Sequence, residues 1–229
     1  TFTNAERRVQ MVNQAIKPIG NAKTDGEIIA ELANRMGYPF SCFSPEQVMQ
    51  EAANLTPLYA GITHSRLGTQ GLQWPVPNTE HPGSKVLHQE TFSRGKGLFK
   101  AIAFQEANEL PDEEYPFLLN TGRKLSHYNV FTQNSEALES YSPEELAEIN
   151  PLDAKRLGFQ EGERVKVTSR RGGLETKIRI TERVPSGMLF MTFHYTETPT
   201  NVLTNGASDK VSKTYEYKAC GVQITKIAN

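Results

Sequence analysis

The sequence has few of the features that mark secreted, membrane-spanning or nucleic-acid-binding proteins. Only two cysteines, Cys42 and Cys220, occur in 229 residues, which excludes a disulfide framework and favours the reducing cytoplasm. No apolar run approaches the roughly 20 residues that cross a bilayer, and the N-terminus lacks a basic stretch followed by an apolar one. A net charge of −1 gives no broad basic surface for nucleic acid. We therefore expect a cytoplasmic chain with no membrane span, no nucleic-acid partner and a small ligand.

The motifs of self-contained catalysis are also missing. There is no CxxC, HExxH, GxSxG, P-loop or GxGxxG sequence. Three of the five histidines lie in the irregular stretch 64–88, at spacings that fit no metal-ligand template, and we interpret them as loop-packing residues. We predict neither a catalytic residue nor a metal ligand in this chain. Because it opens without methionine, we interpret it as a segment of a longer protein or a processed product.

The first part of the chain reads as two helices followed by irregular structure. Thr24 and Glu27 form a capping box before apolar residues at helical spacing, which predicts a helix that ends at Gly37 and buries its apolar face in the core. Ser44 and Pro45 predict a second helix. Residues 55–97 are rich in Gly, Pro and His without a period, and a loop of this length is expected to pack on another surface.

The second part reads as short strands with small helices. Apolar runs broken by Gly and Pro predict strands at 115–119, 164–169, 174–181, 188–193 and 221–227, with short helices at 142–147 and 151–157. This pattern predicts a mainly β, α+β fold in which a β-barrel follows a helical and irregular segment. The acidic, Pro-containing stretch near 109–115 predicts domains at 1–110 and 111–229.

Hydrogen-bond donors are concentrated after the first predicted strand, in TGRKLSHYNVFTQN at 121–134. A Thr-Gly turn exposes backbone N–H groups, and the Arg123 guanidinium matches a phosphate bidentately. The stretch is therefore either a nucleotide or pyrophosphate site or a solvated loop whose polar residues cap turns. Similar donors follow the strand at 188–193 and precede the last strand. We interpret His127 and His194 as hydrogen-bonding or packing residues rather than general bases.

The quoted segments resemble a known family. NTGRKLSHYNVFTQN, NPLDAKRLGFQEGERVKV and NVLTN…YEYK, with TFTNAERR at the start, resemble the C-terminal region of formate dehydrogenase large subunits. These belong to the molybdenum or tungsten bis-molybdopterin guanine dinucleotide (bis-MGD) enzymes of the DMSO reductase superfamily. The resemblance implies a six-stranded double-psi β-barrel that binds molybdopterin dinucleotide, after the end of a molybdopterin oxidoreductase domain. It assigns cofactor contacts to Thr121, Gly122, Arg123, Ser126, His127, Tyr128, Thr132, His194, Asn201, Asn205, Tyr217 and Lys218.

The resemblance also implies an activity that this chain does not have by itself. The enzymes interconvert formate and CO2 at a Mo or W centre, and their metal-ligating cysteine or selenocysteine and their iron–sulfur cluster lie outside the matching region. The implied partners are the N-terminal remainder of the subunit, iron–sulfur electron-transfer subunits and formate or CO2. Two alternatives remain open: an oxidoreductase of other specificity in the superfamily, or a cofactor-binding or scaffold subunit without its own activity.

Overall fold

A computed structural model describes residues 1–40 and 44–227. The chain divides into two compact units, Thr1–Lys100 and Ala101–Asn229. The predicted boundary between residues 110 and 111, placed at the acidic, Pro-containing stretch near 109–115, stays a prediction. Among the described residues, no helix combines the length and the apolar character that crossing a bilayer requires.

The first unit combines a small antiparallel sheet with three helices. Its strands are β1 (Phe2–Thr3), β2 (Arg8–Gln10) and β3 (Leu72–Gln73), and its helices are α1 (Asp25–Arg35), α2 (Pro45–Leu55) and α3 (His64–Leu67). The core consists of Val9, Met49, Ile62, Leu67 and Val76. Since three of these residues come from 55–97, the long irregular segment supplies much of this core.

Helix α1 has the predicted cap but not the predicted burial. The Thr24 side chain accepts from the Glu27 N–H, and the Glu27 carboxylate accepts from the Thr24 N–H, so both halves of the capping box form. The apolar side chains of Ile29 and Leu32 are 62% and 56% exposed, and Ala30 is the buried residue of the helix. The prediction that this apolar face is core is wrong for the described unit, because periodicity shows which face is apolar but not what covers it.

The second unit is a closed six-stranded barrel. Its strands are β4 (Phe117–Gly122), β5 (Leu146–Ile149), β6 (Arg164–Thr168), β7 (Gly173–Ile180), β8 (Met188–Thr192) and β9 (Cys220–Lys226). They close in the order β4-β8-β5-β7-β6-β9. The pairs β4–β8 and β5–β7 are parallel, and the other pairs are antiparallel. The predicted mainly β fold with a six-stranded barrel is confirmed.

The barrel core follows from the period of two along each strand. In β7, buried and outward-facing residues alternate, so Leu174, Thr176 and Ile178 point inward. Leu119 and Leu189 are fully buried and pair across β4 and β8. The inward side chains form one continuous apolar cluster, and the polar loops are left at the barrel ends.

One predicted element is wrong in type. Residues 142–147, predicted as a short helix, lead into strand β5, and the helix in this region is α4 (Glu136–Tyr141). The local helix-start signal is overridden because β5 pairs with both β7 and β8 and buries Ala147 and Ile149 in the barrel. The second small helix, α5 (Pro151–Leu157), is confirmed, with Asn150 as its N-cap.

Candidate functional site

Three of the donor-rich stretches meet at one end of the barrel. Strands β4 and β8 are parallel and end in register, with Gly122 opposite Thr192. Strand β9 runs antiparallel to β4, with Cys220 opposite Leu119, so the residues before β9 arrive at the same end. The loops after β4 and β8 and the loop before β9 therefore form one rim, which the sequence pattern alone did not establish.

The last residues of β4 hold this rim together. The Thr121 side chain is 1% exposed, and its hydroxyl donates to the Tyr217 carbonyl at 2.8 Å. A Cβ atom at Gly122 would lie 2.8 Å from the Phe190 ring, so the position needs glycine for space. These two residues fix the spacing of the strands rather than offering free side-chain donors.

Arg123 is the exposed cation at the start of the first loop. Its Nε donates to the Asn129 side-chain oxygen at 3.2 Å, and its guanidinium lies 4.6 Å from the centre of the Tyr128 ring. Among the described residues its two terminal nitrogens make no hydrogen bond. Ser126 is half-buried, and Tyr128 is exposed. The loop thus presents a partly fixed guanidinium with its bidentate edge available.

His127 and His194 form a buried stacked pair. Their ring centres are 3.7 Å apart, and their planes differ by 8°. His127 contacts the Thr132 hydroxyl at 3.3 Å and the Ser142 carbonyl at 2.9 Å. His194 contacts Glu139 at 2.8 Å and the Asn129 carbonyl. Both rings make hydrogen bonds and pack together, and the interpretation that neither is a general base stays a prediction.

The histidine pair also has the composition of a possible metal site. Ligand atoms of His127, Glu139 and His194 all lie within 4.8 Å of one another. Imidazole lone pairs lie in the ring plane, so two nearly parallel stacked rings direct them along parallel planes instead of at one point. A shared ion would require one ring to turn. The prediction that the chain has no metal ligand stays a prediction.

A buried ion pair, which the sequence analysis did not identify, connects the first loop of the rim to the barrel. Glu145 is 2% exposed, accepts from the Thr192 N–H and hydroxyl, and lies 3.8 Å from the Lys124 ammonium. Burial raises the pKa of Glu145 and lowers the pKa of Lys124, even though each group favours the charge of the other. Burial also raises the pKa of Tyr195, whose ring lies over Lys124. This network ties the first loop to β5 and β8.

The remaining predicted residues divide into buried and exposed groups. Asn205 is 6% exposed, and its amide bonds to the Ala219 carbonyl and the Ala207 N–H, so it shapes the loop before β9. Asn201 lines a cavity of about 90 Å³ beside His194. In the part of the chain that the structure describes, the buried hydroxyl of Thr200 has no partner, and Thr200 lines the same cavity. Sequence reasoning missed Thr200 because another threonine in a polar loop carries no distinguishing signal.

Tyr217 and Lys218 are the exposed residues that enter β9. The Tyr217 ring stacks on Tyr215 at 5.4 Å and meets the Phe193 ring edge-on at 6.1 Å. Lys218 is exposed. With Arg123 on the neighbouring loop, these residues place aromatic surface and two cations at one barrel end, a combination suited to a planar ligand that carries phosphate.

The barrel is similar to a domain of known type. Residues 117–221 match the family described as the molydopterin dinucleotide binding domain.

The proteins that match nearly the whole chain include several named as formate dehydrogenases. The chain is 44% identical to F420-dependent formate dehydrogenase 2 subunit alpha of Methanococcus maripaludis, over 99% of this chain and 34% of that protein. It is 43% identical to the F420-dependent formate dehydrogenase subunit alpha of Methanocaldococcus jannaschii and 35% identical to formate dehydrogenase H of Escherichia coli. The resemblance inferred from the sequence motifs is confirmed. The chain spans about a third of the length of these relatives.

A solved structure supports the fold. Acetylene hydratase from Pelobacter acetylenicus superposes with a TM-score of 0.59 over 94% of this chain and 34% of that one. Its sequence identity is 17%, so the comparison supports the architecture and carries no inference about activity.

Proposed function

We propose that the chain is the cofactor-binding, C-terminal segment of a formate dehydrogenase or CO2 reductase catalytic subunit. The observation that carries the proposal is the convergence of three donor-rich loops at one end of a barrel of the molydopterin dinucleotide binding family. In the intact subunit, formate and CO2 would be interconverted at a bis-MGD centre that holds Mo or W. The metal-ligating residue, the iron–sulfur cluster and the rest of the oxidoreductase domain would lie outside this chain.

The residues at the rim fit a dinucleotide that carries pyrophosphate. Removing phosphate oxygens from water is unfavourable unless hydrogen bonds replace the lost hydration. Arg123 offers two unbonded terminal nitrogens within the described structure. Lys218 is exposed and follows Tyr217, whose ring stacks on Tyr215. Because the net charge is −1, long-range attraction is weak, and these local donors would carry most of the binding.

The predicted contact residues would have two roles. The more accessible group consists of Arg123, Ser126, Tyr128, Asn201, Tyr217 and Lys218, which would touch the cofactor. The remaining residues are Thr121, Gly122, His127, Thr132, His194 and Asn205, which would mainly hold the loops in place through their backbone and side-chain contacts. When bound, the cofactor supplies the two-electron chemistry, and this chain binds and orients it.

The proposed partners follow from the relatives. The matching proteins are named as alpha subunits, so we propose iron–sulfur electron-transfer subunits as partners, in a cytoplasmic assembly. The remainder of the same catalytic subunit would be the other contact.

The test uses the intact subunit, expressed from the complete reading frame. We expect Arg123→Ala to weaken cofactor retention by about 1.5–3 kcal/mol, the value of a charge-assisted hydrogen-bond set. Arg123→Lys should recover part of the loss, because an ammonium cannot form the fork. Lys218→Ala should act in the same direction. Arg164→Ala, which removes an exposed cation from the barrel wall, is the matched control.

The readouts are Mo or W and guanine nucleotide per subunit, beside formate-dependent dye reduction. Weaker binding should lower the cofactor content per subunit before it lowers the turnover per bound cofactor. Full cofactor content and activity in both Arg123→Ala and Lys218→Ala would refute the assignment of the rim. Normal cofactor content without formate oxidation by wild type would indicate another specificity in the superfamily, and no cofactor at all would indicate a scaffold.

A further inference from the structure

The surroundings of the His194 ring determine its protonation. Its Nε2 lies 2.8 Å from a Glu139 carboxylate oxygen, and its Nδ1 contacts the Asn129 carbonyl oxygen. A carbonyl oxygen accepts only, and an ionised carboxylate accepts only. Both ring nitrogens must therefore donate if both contacts are hydrogen bonds, and only the doubly protonated ring does so.

The stacked partner has the complementary, neutral form. His127 Nε2 lies 2.9 Å from the Ser142 carbonyl, so this nitrogen donates. Its Nδ1 lies 3.3 Å from the Thr132 hydroxyl, which already accepts from the Tyr128 N–H and can donate its own proton to the ring. One proton on His127 and two on His194 satisfy every contact of the pair, and they avoid two positive rings stacked at 3.7 Å.

His194 is connected to Arg123 through one residue. The Asn129 carbonyl accepts from His194, and the Asn129 side-chain oxygen accepts from Arg123 Nε at 3.2 Å. Asn129 has φ of +50°, a left-handed conformation that a non-glycine residue adopts when its surroundings hold it. The His194 bond to its carbonyl is one such restraint. Loss of that bond would release the residue that aims the guanidinium.

We propose that His194 is an imidazolium that donates from both ring nitrogens, to Glu139 and to Asn129, and that it positions Arg123 for a phosphate ligand. His194 is thus a positioning residue that acts through Asn129. The part that concerns the phosphate rests on the proposed function, whereas the protonation and the contact with Arg123 do not.

Charged and titratable groups near the ring come from several elements, and among the described residues they include Glu197, which lines a cavity with Glu139 and His194. Glu139 faces it from α4, His127 stacks on it from the first loop, and the Tyr195 ring meets it edge-on at 4.6 Å. Lys124 lies over the Tyr195 ring at 5.1 Å from its centre. Glu139 is the anion in direct contact, so removing its charge removes the main compensation for a positive His194.

The direct test is nuclear magnetic resonance of the 229-residue chain with labelled histidine and arginine, which needs no cofactor. At about pH 6, where histidine charge states are readily distinguished, we expect two ring N–H groups on His194 and one, at Nε2, on His127. A singly protonated His194 would overturn the proposal, since it would mean that Glu139 carries the proton or that one contact is absent.

Two variants test the connection to Arg123. Glu139→Gln replaces a partly exposed carboxylate by an amide that can donate to a neutral ring, so His194 should lose one proton while the fold is kept. His194→Asn should speed solvent exchange of the Arg123 Nε–H about tenfold, the change that loss of one hydrogen bond corresponds to. His88→Asn, in the first unit, is the control. Unchanged exchange in a folded His194→Asn chain would overturn the positioning role.

If His194→Asn does not fold, the pH dependence gives the same information. A rise in pH that removes the second His194 ring proton, followed on the ring nitrogen signals themselves, should lower Arg123 Nε–H protection in the wild-type chain, and Glu139→Gln should flatten this response. Equal responses in both proteins would overturn the proposal. Addition of Zn²⁺ alone should leave the ring signals unchanged. Stoichiometric shifts of both histidines would instead assign the cluster to a metal.

Discussion

Removing the Glu109 carboxylate should weaken the barrel beside the entry to β9. Its side chain is 14% exposed and accepts from both terminal nitrogens of Arg171, at 2.6 and 2.9 Å. It also accepts from Arg170 at 3.2 Å and from the buried N–H of Gly221 at 2.7 Å. One carboxylate therefore joins the segment before the barrel, the β6–β7 hairpin and the start of strand β9.

The magnitude follows from the groups that Glu109→Ala leaves behind. An unsatisfied buried N–H at Gly221 costs about 1–3 kcal/mol, and loss of the partly solvated ion pairs adds up to about 1 kcal/mol. We expect destabilisation of about 3 kcal/mol. Glu109→Gln keeps an acceptor for Gly221 and should lose less. Glu175→Ala, in a pair whose side chains are both more than half exposed, should change stability by less than about 1 kcal/mol.

The effect should also depend on pH. Burial raises the pKa of Glu109, but the bonds from Arg171 and the Gly221 N–H outweigh it, so the pKa is lowered overall. The carboxylate therefore contributes stability above its unfolded-state pKa, and this contribution is lost as the pH falls through the lower folded-state value.

Urea unfolding followed by circular dichroism, with hydrogen exchange of the β4 and β9 amides, measures the loss. The difference between wild type and Glu109→Gln should shrink as the pH falls from neutrality into the acid range. A difference that stays constant with pH, or a Glu109→Ala chain as stable as Glu175→Ala, would refute the reasoning.

Two further predictions concern the rim and the buried thiol. Gly122→Ala places a methyl group 2.8 Å from the Phe190 ring, and this overpacking should lower the free energy of unfolding by about 1–3 kcal/mol. Phe190→Leu in the same chain should restore part of the urea midpoint. No change in either variant would contradict the steric argument. Burial raises the pKa of the Cys220 thiol to about 11, so in a Cys42→Ser background a thiol reagent should react only after unfolding, and rapid labelling of the native chain would contradict this.

Much of the fold follows from local sequence signals. The caps at Thr24, Ser44 and Asn150 act through residues two or three positions away, so the three main helix starts were predictable. Five barrel strands were found because each is a short apolar run bounded by Gly or Pro turns. The sixth, β5, was missed because its neighbours are distant in sequence, and pairing on both sides makes a strand of a segment that begins like a helix.

The chemistry of the rim was only partly predictable. Donor density after β4 and β8 marks two loops as candidates, and the resemblance to a family names the ligand. The contacts of His194 with Glu139 and Asn129 were not predictable, since they join positions more than 50 residues apart. The Glu145–Lys124 pair was missed because strand pairing in the barrel, and not a local sequence signal, brings the two side chains together.

The sequence by itself determined the type of domain, the polar loops and the residue types available to hold a phosphate-bearing ligand. Tertiary structure decided which of these residues remain accessible. The side chains of Asn205 and Thr121 make hydrogen bonds to backbone groups, whereas Arg123 and Lys218 stay exposed. The physical reason is that a polar side chain can make only a limited number of hydrogen bonds. Barrel closure depends on strand pairing across the whole unit, and it decides whether a side chain makes its hydrogen bonds inside the protein or with a ligand.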